Sequence, residues 1–86
     1  MRHFASPAFW NCYRELSKQA QEIADQKFAL MKSSPLHPSL HTKKVGKYWS
    51  VRVSLKYRAL AVEVDHDLLW FWIGSHADYD QLLKGK

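Results

Sequence analysis

From Tyr48 to Leu55 the side chains alternate: Trp49, Val51, Val53 and Leu55 are apolar, while Tyr48, Ser50, Arg52 and Ser54 carry polar groups. A period of two is what a strand with one buried and one wet face requires, because successive side chains leave a sheet on opposite sides. Lys56 marks a tight bend, and Tyr57 to Val64 reads as another strand, rich in small and β-branched residues. The polar trio Asp65-His66-Asp67 turns the chain into Leu68–Ile73, which is apolar throughout and so fits a strand covered on both faces or at a sheet centre. Connections this short make neighbouring strands antiparallel. Upstream, Leu40 to Val45 is read as a first strand, closed by a turn at Gly46.

The N-terminal third follows a different period. Ser6-Pro7 reads as a helix start, with Ser accepting from free amides and Pro at the first position giving up no helical bond. Phe9, Cys12/Tyr13 and Leu16 recur at helical spacing; Ser17 offers a second start, and Ala20, Ile23/Ala24, Phe28 and Met31 continue the period. Ser33-Ser34-Pro35 ends it, since proline disfavours helix in the residue before it. Phe4-Ala5 either adds a short strand or simply packs. Gly74 breaks the last strand, and Ala77–Leu83 reads as a short terminal helix. The expected fold is α+β: an N-terminal helical hairpin packed on one face of a three- to four-stranded antiparallel sheet, with a short C-terminal helix. At 86 residues, 47% hydrophobic and 14% aromatic, the chain is expected to be a single domain over 1–86, and disorder is excluded.

The charge is +5, and its distribution says more than its total. No acidic residue occurs between Asp25 and Glu63, while Lys27, Lys32, Lys43, Lys44, Lys47, Arg52, Lys56 and Arg58 fall in that interval. Inside a segment patterned as strands, such a block reads as an electropositive face for nucleic acid or an acidic protein, with a merely solvated basic face as the alternative. Lone Cys12 permits no intramolecular disulfide and reads as a buried, inert thiol. The start Met1-Arg2-His3-Phe4 lacks the apolar run of a signal peptide, and no window is long enough to span a bilayer, so the chain reads as cytoplasmic.

No Gly-rich phosphate loop, serine nucleophile elbow or acidic catalytic pair is present, and no pair among the five histidines sits at metal-ligand spacing. No metal and no small-molecule cofactor is expected. Any chemistry must then come from Arg, Lys, His and Tyr. Those groups suit RNA cleavage without metal, in which the 2′-OH supplies the nucleophile and the protein supplies a base, an acid and cations for the phosphorane-like transition state. Arg52 leaves the polar face of the best strand, though exposed strand arginines are commonplace. Arg58 opens the next strand on the side of Leu60, Val62 and Val64; it either snorkels structurally or brings its head to Arg52. His76 follows Gly74 at a strand exit with Asp78, Tyr79 and Asp80 close behind; the plainer reading is a surface histidine at a helix start capped by Asp78 or Asp80. His37 and His41, in a Pro-containing loop, are read as surface residues, with reach to substrate as the lesser alternative. Trp70-Phe71-Trp72 could stack bases, but a continuous apolar strand favours core packing.

Three segments carry a resemblance: "SPLHPSLHTKKV", "YWSVRVSLKYRALAVEV" and "WFWIGSHADYDQLL". A helical hairpin, a Pro-x-His-Pro-x-Leu loop, a Ser-Val-Arg-Val strand, a Tyr-Arg opening the next strand and a terminal Ile-Gly-x-His-x-x-Tyr together resemble the RelE/ParE toxin superfamily over nearly the whole chain. The resemblance implies a curved sheet and a stable toxin of a type II toxin–antitoxin pair. The RelE branch consists largely of ribosome-dependent messenger-RNA endonucleases; the ParE branch inhibits DNA gyrase. By position, Arg52, Arg58, His76 and Tyr79 fall where the nuclease members carry catalytic residues, while Ser50 stands where RelE has a second strand lysine. The resemblance thus implies Arg52 and Arg58 on phosphate charge, His76 as general acid or base, Tyr79 orienting or stacking, and Lys43, Lys44, Lys47 and Lys56 on RNA backbone. The partners implied are a cognate antitoxin, with an acidic segment laid along the basic groove, and messenger RNA on the ribosome. A gyrase-binding toxin and a degenerate antitoxin binder are the alternatives.

Overall fold

The computed structural model describes residues 2–84. Strand β1 (His3–Ala5) leads into helices α1 (Pro7–Arg14) and α2 (Lys18–Ser33), then a 3₁₀ turn (Pro38–Leu40). Strands β2 (Lys43–Val45), β3 (Tyr48–Arg52), β4 (Tyr57–Val64) and β5 (Asp67–Ser75) follow, and α3 (His76–Lys84) closes the chain. The sheet order is β1-β5-β4-β3-β2, antiparallel except for β1, which lies parallel to β5. The architecture is the expected α+β one, with five strands in a mixed sheet. The extra strand arises because His3–Ala5 finds the open edge of β5. Its ends are fastened when Leu68 N donates to Arg2 O and Ser6 N to Trp70 O.

Both helix starts follow their sequence signals. Ser6 Oγ accepts from Phe9 N at 3.2 Å and Ser17 Oγ from Ala20 N at 3.1 Å. The Gln21 amide donates to Tyr13 O at 3.0 Å and holds the bend between the helices. Phe9, Ala24 and Met31 face the sheet, where Val51, Val53, Ala59, Ala61, Leu68, Trp70 and Ile73 form the opposing layer. Phe9 meets Phe28 edge-on at 5.4 Å, and Phe28 meets Trp70 edge-on at 5.5 Å. The Trp70 indole N–H donates to His3 Nδ1 at 3.2 Å. Burial, and after it the charge of Lys32, holds His3 below the usual imidazole range, which keeps Nδ1 an acceptor.

The apolar run in β5 conceals a β-bulge. Ala61 pairs with Trp70 and Leu60 with Trp72, leaving Phe71 as the extra residue. Strict alternation would put Trp70 and Ile73 on opposite faces; the bulge lets both join the helix-side core, and both are buried. Beyond it, Trp72 and Gly74 share the other face with Leu60 and Arg58. The Trp72 ring lies over Gly74 so closely that a Cβ there would sit 2.5 Å from Trp72 Cζ2. The β4–β5 turn places Asp65 (φ 51) and His66 (φ 71) in left-handed conformations, the twist a two-residue hairpin needs.

Three expectations are corrected. Leu40 is no strand residue: it ends the 3₁₀ turn fully buried, and the strand begins at Lys43. Leu55 leaves the alternating pattern because β3 ends at Arg52, and in the bend it is 79% exposed. The second sheet face is not simply polar, since α3 packs on β4 and β5 and the inward side buries Leu60, Ser50 and Tyr79.

Replacing Gly74 by Ala must displace the Trp72 ring and should lower stability by about 1–3 kcal/mol. Thermal unfolding would show this as a Tm drop on the order of 10 °C. A second test concerns Asp67, which accepts from the Arg2 amide at 2.9 Å and from its guanidinium at 3.3 Å. The Arg2 amide, then its guanidinium charge, outweighs burial and holds the Asp67 carboxyl below the ordinary carboxylate range. A depressed folded-state value gives stability that is present above the free carboxyl's pKa of ~3.9 and lost as pH falls through the lower folded value. Asp67→Asn should therefore melt below wild type near neutrality, with the gap closing as the pH drops under ~4.

Candidate functional site

The cross-strand register sets the centre of the site. Arg52, last in β3, lies directly opposite Arg58, second in β4, on the face away from α1 and α2. Residues so paired have Cβ atoms roughly 5 Å apart, which brings two like-charged side chains to the same end of the sheet. Burial first, then the Arg52 charge, lowers the Arg58 pKa, against a pull from Tyr79 and Asp80. Arg58 Nη1 donates to Ser54 O and, at 3.0 Å, to Tyr57 O, so it also closes the β3–β4 bend. Arg52 Nη1 lies 3.3 Å from His41 Nε2, while its Nε–H is sealed from solvent with no acceptor among the described residues. An unmet N–H of that kind is uncommon and costs about 1–3 kcal/mol.

These arginines form one side of a cleft of about 490 Å³ lined by His41, Thr42, Lys43, Ser50, Arg52, Arg58, His76, Tyr79 and Asp80. Helix α3 supplies the opposite wall. Ser75 Oγ accepts from Asp78 N at 3.1 Å and caps its first turn, so neither Asp78 nor Asp80 does the capping. That frees Asp80 to lie one turn beyond His76, where its Oδ2 is 3.0 Å from His76 Nδ1. The pair is solvent-accessible, with the His76 side chain 46% exposed. Tyr79 is buried at 6% exposure, its ring centroid 6.1 Å from that of His76. Ser50, at 2% exposure, is a small buried residue of the lining.

All four residues singled out as catalytic, Arg52, Arg58, His76 and Tyr79, thus line one cleft. The lysines divide. Lys43 joins the cleft, and Lys56 borders an adjoining hollow that shares His76 and Asp80. Lys44 sits over the Trp49 ring, at 5.7 Å, and Lys47 over Tyr48, at 5.5 Å, so neither lines the cleft. Alternation separates Lys43 from Lys44, since adjacent residues of β2 leave opposite faces of the sheet, and Lys47 lies in the turn after β2. Thr42 joins the site with no sequence signal, together with His41, read chiefly as a surface residue with reach to substrate as the lesser alternative, and Asp80, read as a possible helix cap. Only Asp80, one helical turn from His76, carried a spacing signal. Of the two loop histidines, His37 is spent locally, its Nδ1 accepting from Ser39 N at 3.2 Å, whereas His41 reaches Arg52. Trp70 is core, and Phe71 packs on Tyr48 with centroids 5.3 Å apart. Among the described residues no three of His, Cys, Asp or Glu come together as a metal-binding group.

Two opposed guanidiniums beside a carboxylate-held imidazole make a receptor for an oxyanion, with a proton-transfer group at its rim. A sequence model of the ParE-like toxin domain matches residues 14–81, which hold the whole cleft lining. The chain belongs to the ParE-like toxin family. It is accordingly a toxin of the RelE/ParE superfamily, whose members come from toxin–antitoxin systems. No curated protein sequence matches the toxin. Its fold is similar to that of YafQ from E. coli strain BL21(DE3), with a TM-score of 0.72 at 15% identity over 92% of this chain and 98% of that one. It is also similar to a chain of the RelB–RelE antitoxin–toxin complex of Methanococcus jannaschii (TM-score 0.71, 12% identity, 92% and 96% covered). The isolated E. coli RelE toxin superposes with a TM-score of 0.61 at 14% identity, over 98% of this chain and 96% of that one.

Inorganic phosphate should bind the toxin between the arginines and raise its Tm, by the equivalent of about 2.7 kcal/mol at 100 times its Kd. The shift should vanish in Arg52→Ala while the unliganded variant still unfolds cooperatively.

Proposed function

We propose that this toxin cleaves RNA, acting in the cytoplasm as a metal-independent messenger-RNA endonuclease on the ribosome. The observation that carries the reading is the convergence of Arg52, Arg58, His76 and Tyr79 on one cleft. The fold's likeness to YafQ and RelE supports it. In RNA the 2′-OH is the nucleophile, so the protein need only move protons and hold charge. The opposed arginines would engage the non-bridging oxygens as negative charge builds in the transition state, relieving their mutual repulsion. His76 would transfer a proton as general acid or base, with Asp80 fixing its ring through Nδ1. Tyr79 would orient the scissile nucleotide, and Lys43 and Lys56 would hold flanking phosphates, with Lys44 and Lys47 on RNA backbone farther out.

The partner in this reading is an acidic antitoxin. Structures similar to this chain include the RelB–RelE antitoxin–toxin complex and the E. coli DinJ–YafQ complex. A negatively charged segment complements a stretch of chain without acidic residues from Gln26 to Val62.

The test is inducible expression in a bacterial host with transcript ends mapped. Wild type should arrest growth and generate new cleavage sites inside translated messages. His76→Ala should lower cleavage by about 10²–10⁴-fold, and Arg52→Ala should abolish arrest while the protein remains folded. Arrest without new transcript ends, unchanged in His76→Ala, would overturn the nuclease reading in favour of a gyrase-directed toxin. No arrest at all would leave a binder of antitoxin only.

A further inference from the structure

The cleft holds a second imidazole whose environment differs in kind from that of His76. His41 ends the 3₁₀ turn in a left-handed backbone conformation (φ 45, ψ 45), uncommon for a residue with a side chain. Two contacts hold it there. Leu40, immediately before it, is fully buried, and the turn is tied to α2 where Lys27 Nζ donates to Ser39 Oγ at 3.2 Å. Strained backbone maintained by its surroundings is a common mark of a functional position.

The hydrogen-bond partners then separate the two rings chemically. A guanidinium only donates, so the 3.3 Å contact of Arg52 Nη1 with His41 Nε2 exists only when that nitrogen offers a lone pair, that is, when His41 is neutral with its proton on Nδ1. The Asp80 carboxylate only accepts, so His76 must present N–H at Nδ1, which leaves Nε2 as the nitrogen that can exchange a proton with substrate. The groups around the cleft place cations on the His41 side, Lys43 from β2 and Arg52 from β3, with Arg58 from β4 between. The anionic partner, Asp80 of α3, lies on the His76 side beside Tyr79. One imidazole thus faces a donor and the other an acceptor, the arrangement in which the first can take a proton and the second give one.

We propose that His41 is the general base of the cleft and His76 its general acid. The assignment rests on the nuclease reading above. A phosphate bound by Arg52 withdraws Nη1 from His41 and frees the Nε2 lone pair. His41 Nε2 takes the 2′-OH proton as the O2′–P bond forms; His76 Nε2 gives its proton to O5′ as the P–O5′ bond breaks. The products are a 2′,3′-cyclic phosphate and a 5′-hydroxyl, with one proton taken up and one released, so no co-reactant is needed.

The experiment is single-turnover cleavage of messenger RNA on programmed ribosomes, followed against pH for wild type, His41→Gln and His76→Gln. A parallel substrate carries sulfur in place of the 5′-bridging oxygen, a leaving group that departs without a proton. Wild type should show a bell-shaped profile. His41→Gln should lose the acidic limb and be slowed about 10²–10⁴-fold on both substrates. His76→Gln should lose the basic limb and recover most of its rate on the sulfur substrate alone. Each variant's melting curve, matched to wild type, reports folding, and His41→Asn serves if His41→Gln melts early. Cleavage in which His41→Gln keeps its acidic limb, or is the variant rescued by sulfur, overturns this assignment but not the nuclease reading. No cleavage by wild type overturns both.

Discussion

One inserted residue in strand β5 organises both faces of this molecule. Phe71 shifts the register of β5 against β4, so that Leu68, Trp70 and Ile73 all point at the helices despite an odd spacing. Without the bulge, one of the two largest side chains of the core layer would face the other side. The same shift puts Trp72 and Gly74 on the cleft face beside Leu60 and Arg58, and Gly74 lets the indole lie flat where a side chain would collide. From there the strand runs straight into Ser75, which caps α3 and sets the wall bearing His76, Tyr79 and Asp80.

The opposite wall is built against an energetic gradient. Placing Arg52 and Arg58 across from each other, with an N–H of Arg52 unmet among the described residues, withholds stability that a neutral pair would supply. The fold tolerates it because Arg58 also fastens the β3–β4 bend and because His41 lends Arg52 an acceptor. A pocket in which cations are this poorly neutralised favours an anion that arrives from outside. That is how a chain of this size accommodates a functional site: the repulsion is offset by a core of interlocked aromatics on the far side of the sheet.

Much of the site was legible before the fold was known, for local reasons. Arg52 and Arg58 follow from alternation on either side of a short bend, and His76 and Tyr79 follow from a strand exit and a helical step. His41 was not legible in the same way, because its arrival depends on a left-handed turn and on Leu40 being swallowed by the core. An apparent strand from Leu40 to Val45 hides both. The lysines show the converse: a run of basic residues reads as one patch, yet neighbours in a strand separate, so Lys43 faces the cleft and Lys44 the Trp49 ring.

The sequence by itself determined the helix starts, the strand periods, the turn positions and the one-signed charge from which an anionic partner is inferred, since caps, alternation and backbone preferences act over a few residues. Only the tertiary structure decided the rest. Whether Phe4-Ala5 pairs depends on an open edge of β5, and the position of the bulge depends on which side chains the helices can cover. Which loop histidine meets Arg52 depends on where a loop is pinned. Each of these is settled by contacts between segments far apart in the chain, and such contacts leave no period in the sequence to read.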